Sequence, residues 1–185
     1  MIVALAGRRI DAPHQNPPRF PLANIAKVKA EIRQQLQECH ATMLVCSGAC
    51  GADLLALEVA MELGIPCRLI LPFEPERFRE ISVVDRPGEW GLIFDRILQQ
   101  VTAENNVVIL QEESDQEAFI AVNHVILDEA IALSQQEYPH QNPSALIVWN
   151  GCSRGKSDVT HEFMMKAEEL GFKVVEILTC TPIPY

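Results

Sequence analysis

Short apolar runs alternate along the chain with longer segments in which apolar residues recur at helical spacing. The short runs are apolar at nearly every position, which is typical of strands that are buried on both faces of a parallel sheet. They predict six strands, over residues 2–6, 43–46, 67–71, 106–110, 144–149 and 173–178.

The longer segments predict amphipathic helices. In the first of them, Ile25, Val28, Ile32 and Leu36 recur at intervals of three and four residues. Predicted helices cover residues 23–39, 92–100, 116–135 and 159–170, and a further helix follows Asp53 and ends at Gly64. Because strands and helices alternate, we expect one α/β domain over residues 1–185, with a doubly wound, mostly parallel sheet and helices on both faces.

Three polar segments interrupt this alternation. Residues 12–21 hold four prolines and are predicted to form a loop, and Pro182 and Pro184 indicate an exposed tail. Residues 72–91 are predicted to form a long loop, which we interpret as a lid because long loops in compact domains are usually functional or mobile. Its candidate anion contacts are Arg77, Arg79 and Arg86. The alternative is a surface segment in which neighbouring acidic residues neutralise these arginines.

The second predicted strand runs into a glycine loop, Ser47-Gly48-Ala49-Cys50-Gly51-Ala52-Asp53, and then directly into a helix. Such a turn directs unpaired backbone N–H groups and the positive end of the helix dipole at one point, which favours a phosphate. A similar loop follows the fifth strand, and the first strand ends in two arginines that either bind an anion or form a solvated basic turn. The ligand-binding candidates in these turns, with Asn123 of the long helix, are Gly7, Arg8, Arg9, Ser47, Gly48, Ala49, Cys50, Gly51, Asp53, Asn123, Asn150, Gly151, Ser153, Arg154, Gly155 and Thr160.

Composition narrows the classes of partner. The chain has 15 lysines and arginines against 25 aspartates and glutamates, a net charge of −10, which argues against a nucleic-acid partner. No apolar stretch is long enough to span a bilayer, and we expect a cytoplasmic protein with no membrane partner. The six cysteines lack metal-site spacing, so we expect reduced thiols, no metal and no cofactor.

The same residues resemble the SLOG superfamily of Rossmann-like proteins, which includes the Lonely Guy phosphoribohydrolases and the DNA-processing protein A (Smf) family. The loop from Ser47 to Asp53 is similar to the Smf pattern Ser-Gly-x-Ala-x-Gly-x-Asp with one residue fewer. The segment from Asn123 to Ile126 resembles the Asn-Arg-x-Ile of that family. Residues 147–151, leading to Gly155 and Thr160, resemble the second glycine loop, and residues 72–90 look like uncharacterised bacterial members.

This resemblance implies a nucleotide-binding domain with strand order 4-3-2-1-5-6, in which the glycine loops meet at one pocket, and by analogy a homodimer. Two departures from the patterns of these families limit the resemblance. The Lonely Guy motif Pro-Gly-Gly-x-Gly-Thr-x-x-Glu is absent, because the doubled glycine is missing and Glu162 has the wrong spacing from Thr160. The net charge also argues against the single-stranded DNA that the Smf family handles.

Three hypotheses about function follow. The first is binding or sensing of a nucleotide or nucleotide-derived phosphorylated small molecule, with Asp53 either accepting a ribose hydroxyl or facing its own helix. The second is hydrolysis of a nucleotide N-glycosidic bond, for which the candidate carboxylates are Glu58, Asp158 and Glu162. The third is a protein-interaction module with a vestigial pocket.

Overall fold

The computed structural model describes residues 1–111, 115–155 and 157–180. Within them, six strands form one parallel sheet: β1 (Ile2–Gly7), β2 (Met43–Cys46), β3 (Cys67–Leu71), β4 (Val107–Ile109), β5 (Ser144–Trp149) and β6 (Lys173–Leu178). Their order is β4-β3-β2-β1-β5-β6, which confirms the predicted α/β class and the strand order. The predicted tail with Pro182 and Pro184 and the loop residue Lys156 lie outside the described residues.

The described helices are α1 (Ile25–Glu38), α2 (Ala52–Glu62), α3 (Pro75–Ser82), α4 (Trp90–Ala103), α5 (Asp115–Glu137) and α6 (Val159–Glu169), and a 3₁₀ turn, Leu22–Asn24, precedes α1. Alternate side chains of β1 enter two separate cores. Leu5 packs with the buried residues of α1, α2 and α4 on one face, whereas Ala4 packs with those of α5 and α6 on the other. The sheet is therefore covered on both sides, as expected.

The prediction of one long loop over residues 72–91 is wrong in part. Helix α3 lies inside this segment, and α4 begins at Trp90 rather than at residue 92. Pro75 is the first residue of α3, where its fixed φ and missing N–H are tolerated. The helix buries only Phe78 and Ser82, so its apolar pattern is too sparse to be recognised.

The chain reverses its direction of strand addition beside β1. Helices α1, α2 and α4 lead from β1 outward to β4, and α5 then crosses the opposite face to β5, on the other side of β1. In parallel sheets such a reversal opens a crevice at the carboxyl ends of the strands, where ligands bind. The loops after β1, β2 and β5 all lie at this edge.

Candidate functional site

A cavity of about 260 Å³ lies at the carboxyl end of β1, between α3 and α5. It brings together parts of all three loops that the sequence singled out. The predicted residues that line it are Gly7, Arg8, Arg9, Ser47, Ala49, Asp53, Asn123, Arg154 and Thr160. Predicted residues that do not line it are Gly48, Cys50, Gly51, Asn150, Gly151, Ser153 and Gly155.

Two backbone donors of the glycine loop after β2 are used inside the protein. The Ala49 amide donates to Asp53 Oδ2 at 3.2 Å, and the Cys50 amide donates to the Ser82 carbonyl at 2.9 Å. These two amides were expected to hold a phosphate, and the structure corrects that expectation because their hydrogen bonds are already made. Neither of these two amides is therefore available to an anion in this cavity.

The glycines of the first two turns serve close packing. A Cβ added at Gly7 would lie 2.3 Å from Ala52 Cβ, and one at Gly51 would lie 2.7 Å from the Arg8 carbonyl oxygen. Gly51 also has φ +103°, which L side chains rarely adopt. Gly48 faces Phe94 rather than the cavity, with its added Cβ 3.1 Å from that ring. Gly7 and Gly51 thus allow the start of α2 to pack against the turn after β1.

Arg8 is a structural arginine. It is 4% exposed, and its Nη1 and Nη2 donate to the two carboxylate oxygens of Asp158 at 2.5 and 2.7 Å. Its Nε donates to Asn150 Oδ1 at 3.0 Å, and Nη2 also donates to the Cys152 carbonyl at 2.8 Å. The guanidinium group lies 5.6 Å from the centre of the Trp149 ring. The loop after β5 therefore holds Arg8, and little of its donor capacity remains for a ligand.

Asp158 belongs to the same contact between the turn after β1 and the loop after β5, which we call the structural joint. Besides Arg8, its side chain accepts hydrogen bonds from the amides of Arg154, Thr160 and His161, so it caps the N-terminus of α6. Burial raises its pKa, but the hydrogen bonds from Arg8 and from the Arg154 amide outweigh burial and hold the pKa well below its usual range. This carboxylate stays ionised and is not placed for proton transfer in the cavity.

The other two catalytic candidates lie away from the cavity. Glu58 pairs with Lys29 at 3.3 Å and with Arg96 at 2.5 Å, and so joins α2 to α1 and α4. Glu162 pairs with His124 at 2.9 Å between the exposed parts of α5 and α6. Neither carboxylate lines the cavity, so the structure gives no support to a catalytic role for them there.

Asp53 is the candidate carboxylate that faces the cavity. It lies in the first turn of α2, is 7% exposed, and takes one hydrogen bond, from the Ala49 amide. Burial raises its pKa to about 7, against the smaller opposing effects of that hydrogen bond and of the charge on Arg9. Both protonation states are thus populated at neutral pH, a property that the sequence did not reveal because it depends on burial.

Arginines dominate the polar lining. Arg9, Arg19, Arg86 and Arg154 line the cavity together with Arg8, whereas Asp11 and Asp53 are the acidic residues among the described lining residues. The pKa of Arg19 is lowered, first by burial and then by the positive charges of Arg154 and Arg8. A protein of net charge −10 thus places five arginines and two aspartates around one cavity.

Arg19 is a site residue that sequence reasoning missed. It lies in the proline-rich loop of residues 12–21, where its amide donates to both oxygens of Asp11 at 3.0 and 3.1 Å. Its Nη2 donates to Gln15 Oε1 at 2.8 Å. These contacts fold the loop over the carboxyl end of β1, and the signal that was available is the arginine between two prolines.

The three arginines predicted as anion contacts in the lid segment lie in different surroundings. Arg86 lines the cavity. Arg79 donates to both oxygens of Asp95 at 2.7 and 2.9 Å, outside the cavity lining, and Arg77 stacks on Phe73 with 4.1 Å to the ring centre. Only one of the three is therefore positioned to contact a ligand in this cavity.

The rest of the cavity lining includes an apolar wall. It is formed by Phe78 of α3 and by Phe119, Val122 and Ile126 of α5. Asn123, between them on α5, donates through Nδ2 to the Val159 carbonyl at 2.7 Å and ties this helix to the start of α6. The cavity thus combines cationic side chains with an apolar surface suited to a planar ring.

No protein-family model matches this chain, and no curated protein matches it significantly.

The six cysteines are free thiols. Among the described residues, no group of three or more histidine, cysteine or acidic side chains is placed to hold a metal ion. Across the same residues, no helix has both the length and the apolar character needed to cross a bilayer.

Proposed function

We propose that the protein binds a nucleotide, or a phosphorylated small molecule derived from one, in the cavity at the carboxyl end of β1. The observation that carries this proposal is a cavity lined by four arginines besides the structural Arg8, together with phenylalanine and aliphatic side chains. Arginine matches phosphate in charge and geometry, and the apolar wall suits a nucleobase. The cavity lies at the reversal of strand order, where α/β sheets bind ligands.

The size of the cavity favours a small ligand. A volume of about 260 Å³ is near the lower end of the range for small-molecule sites. We therefore expect a mononucleotide-sized compound rather than a dinucleotide or a nucleic-acid strand. The strand order implied by the SLOG resemblance agrees with the observed sheet, which supports a nucleotide ligand only as an analogy because one fold hosts many functions.

Thermal unfolding in the presence of AMP, adenosine and inorganic phosphate tests this proposal. A ligand present at about 100 times its Kd stabilises the folded protein by about 2.7 kcal/mol. We expect AMP to raise Tm more than adenosine does, and we expect Arg19→Gln to reduce that rise. Arg33→Gln is the matched control, because Arg33 pairs with Glu62 away from the cavity. Absence of stabilisation by any nucleotide would favour the protein-interaction module instead.

A second candidate function is hydrolysis of a nucleotide N-glycosidic bond. The observation that favours it is Asp53, a buried carboxyl group that lines the cavity. In this reaction water adds to the anomeric carbon as the bond to the base breaks. Asp53 donates a proton to the departing base and regains one from the attacking water. It would replace Glu58, Asp158 and Glu162 as the acid–base group.

Incubation with AMP followed by chromatography for free adenine distinguishes the two functions. Release of adenine by the wild-type protein, lost in Asp53→Asn, supports hydrolysis. Stabilisation by AMP without release of adenine supports binding or sensing. Release that persists unchanged in Asp53→Asn excludes Asp53 as the acid–base group.

A further inference from the structure

We infer that Arg9, Ser82 and Arg86 form a subsite for the phosphate group of the ligand, and that the carboxylate of Asp85 competes with that phosphate. The inference rests on the proposed nucleotide site and assigns its phosphate end. It gives a role to the end of α3 and to the segment that links α3 to α4, which together supply three of these four residues.

Ser82 provides the first observation. This last residue of α3 lines the cavity and is 1% exposed, and its hydroxyl has no hydrogen-bond partner among the described residues. Leaving a buried hydroxyl unsatisfied is costly, and native proteins rarely do so. Its carbonyl accepts the Cys50 amide at 2.9 Å, which holds the residue beside the loop after β2. Ser82 thus places an unpaired hydroxyl beside the cavity.

Arg9 and Arg86 provide the second observation. Both line the cavity, and the Nε atom of each is buried without a hydrogen bond in the described part of the chain. Arg9 donates through Nη2 to Asp85 Oδ1. Arg86 Nε lies 3.4 Å from Asp85 Oδ2 in a geometry that forms no hydrogen bond. One carboxylate therefore bridges two guanidinium groups, the Cys50 thiol also contacts Arg9, and the Nε atom of each arginine lacks a hydrogen bond in the described part of the chain.

The chemistry of this cluster favours a phosphate over the resident carboxylate. Two guanidinium groups exceed the charge of Asp85 by one unit. A phosphate monoester carries about −1.5 to −2 and offers three acceptor oxygens, enough for Arg9, Arg86 and the Ser82 hydroxyl together. The carboxylate offers two oxygens and leaves that hydroxyl unpaired. The ligand group is thus a phosphate, which is either the terminal phosphate of a nucleotide or inorganic phosphate.

Helix α3 supplies a matched control. Arg79 lies one turn before Ser82 on the same helix, and Asp95 accepts hydrogen bonds from two of its nitrogen atoms at 2.7 and 2.9 Å. It does not line the cavity. Removing its charge alters this part of the chain but removes no residue of the proposed subsite.

Calorimetric titration of the full chain with AMP, adenosine and inorganic phosphate tests the inference, after far-UV circular dichroism has shown that each variant is folded. We expect Ser82→Ala and Arg86→Gln each to weaken AMP binding about tenfold or more, because each removes a hydrogen bond to a charged group. Asp85→Asn is expected to tighten AMP binding, since it removes a competing negative charge while keeping the shape. Arg79→Gln and all adenosine affinities are expected to stay unchanged.

The outcomes separate this inference from the proposed function. Wild-type affinity for AMP in both Ser82→Ala and Arg86→Gln overturns the subsite and leaves nucleotide binding intact. Unchanged or weaker binding by Asp85→Asn overturns the competition by Asp85. If the wild-type protein binds neither AMP nor phosphate, both proposals fail. Tighter binding of AMP than of inorganic phosphate, with both weakened in the two variants, identifies a nucleotide as the source of the phosphate.

Discussion

Arg8 and Arg9 are neighbours in the turn after β1, yet their surroundings differ. Arg8 is 4% exposed and donates to Asp158, Asn150 and the Cys152 carbonyl, so the protein uses its donors to join β1 to the loop after β5. Arg9 shares one carboxylate with a second arginine and keeps a buried Nε without a hydrogen bond. Residue type and position in the turn are therefore insufficient to assign an anion contact. An arginine is structural when its N–H groups already have protein acceptors, and it is available to a ligand when some of them do not.

The two glycine loops differ in the same way. Each supplies a carboxylate near the start of a helix, but Asp158 is surrounded by donors and has a lowered pKa, whereas Asp53 accepts one hydrogen bond and has a pKa raised to about 7. The loop after β5 is thus a structural joint. The loop after β2 places a titratable group against the cavity.

Breaking the structural joint is expected to have the largest effect. Asp158→Ala leaves Arg8 buried without its counter-ion and removes the cap of α6, so we expect a loss of about 3–5 kcal/mol in the free energy of unfolding. Urea unfolding measures it, with Asp95→Ala, which breaks an exposed pair, as the control. A loss below about 1 kcal/mol for Asp158→Ala would show that the joint is not structural.

Disrupting the close packing of α2 against the turn that contains Arg8 and Arg9 is expected to cause the next largest loss of stability. Gly51→Ala places a Cβ 2.7 Å from the Arg8 carbonyl oxygen at φ +103°, and we expect a cost of about 2 kcal/mol or more. Gly155→Ala is the matched control, because φ is also positive there but no atom lies within 4 Å of the added Cβ. Equal urea midpoints for the two variants would contradict the close packing.

Arg9, the arginine of this pair that keeps an unpaired donor, is expected to affect ligand binding rather than stability. Arg9→Gln removes a ligand donor and one partly exposed ion pair, which contributes about 0–1 kcal/mol to folding. We expect AMP affinity to fall about tenfold or more while the free energy of unfolding changes by less than about 1 kcal/mol. A large loss of stability with unchanged affinity, measured by urea unfolding and calorimetry, would give Arg9 the structural role instead.

The pH dependence of stability sharpens the contrast between the two carboxylates. The pKa of Asp53 rises from about 3.9 in the unfolded chain to about 7 in the folded protein. The folded state therefore binds the proton more tightly, so this group lowers stability as pH rises from about 4 to 7, by about 1.4 kcal/mol per pH unit. The lowered pKa of Asp158 acts in the opposite sense and only below about pH 4.

Urea unfolding of the wild-type protein and of Asp53→Asn at pH 5.5 and pH 6.5 measures this contribution. Over that interval the wild-type protein is expected to lose about 1.4 kcal/mol more than the variant does. Because the other titrating groups are common to both proteins, the difference reports Asp53. The same pH dependence in both proteins would show that its pKa is not raised.

Much of the fold was predictable because buried parallel strands are apolar at successive positions. The bounds of β2, β3, β5 and β6 agree with those predicted, and the convergence of the loops follows from a parallel sheet. Helix α3 was missed because it buries only two of its eight residues. Its own sequence therefore contains too little of the periodic signal by which helices are recognised.

The character of the site was less predictable, because it depends on contacts between distant residues. The glycine loop has the sequence of a phosphate cradle, but the Cys50 amide donates to the carbonyl of Ser82, which is remote in sequence and lies on the unpredicted helix. Arg19 reaches the cavity because its loop is held in place by contacts that include Thr179 Oγ1, which donates to the Arg19 carbonyl. Neither contact has a local signature.

The phosphate site is tested most directly by the difference in affinity between AMP and adenosine for the wild-type protein, measured by calorimetry at low and at physiological salt. The arginine-lined cavity predicts that AMP binds at least about tenfold more tightly than adenosine, and that added salt narrows this gap by screening the charges. Equal affinities at both salt concentrations, or no binding of either compound, would contradict the claim that these arginines form a phosphate site.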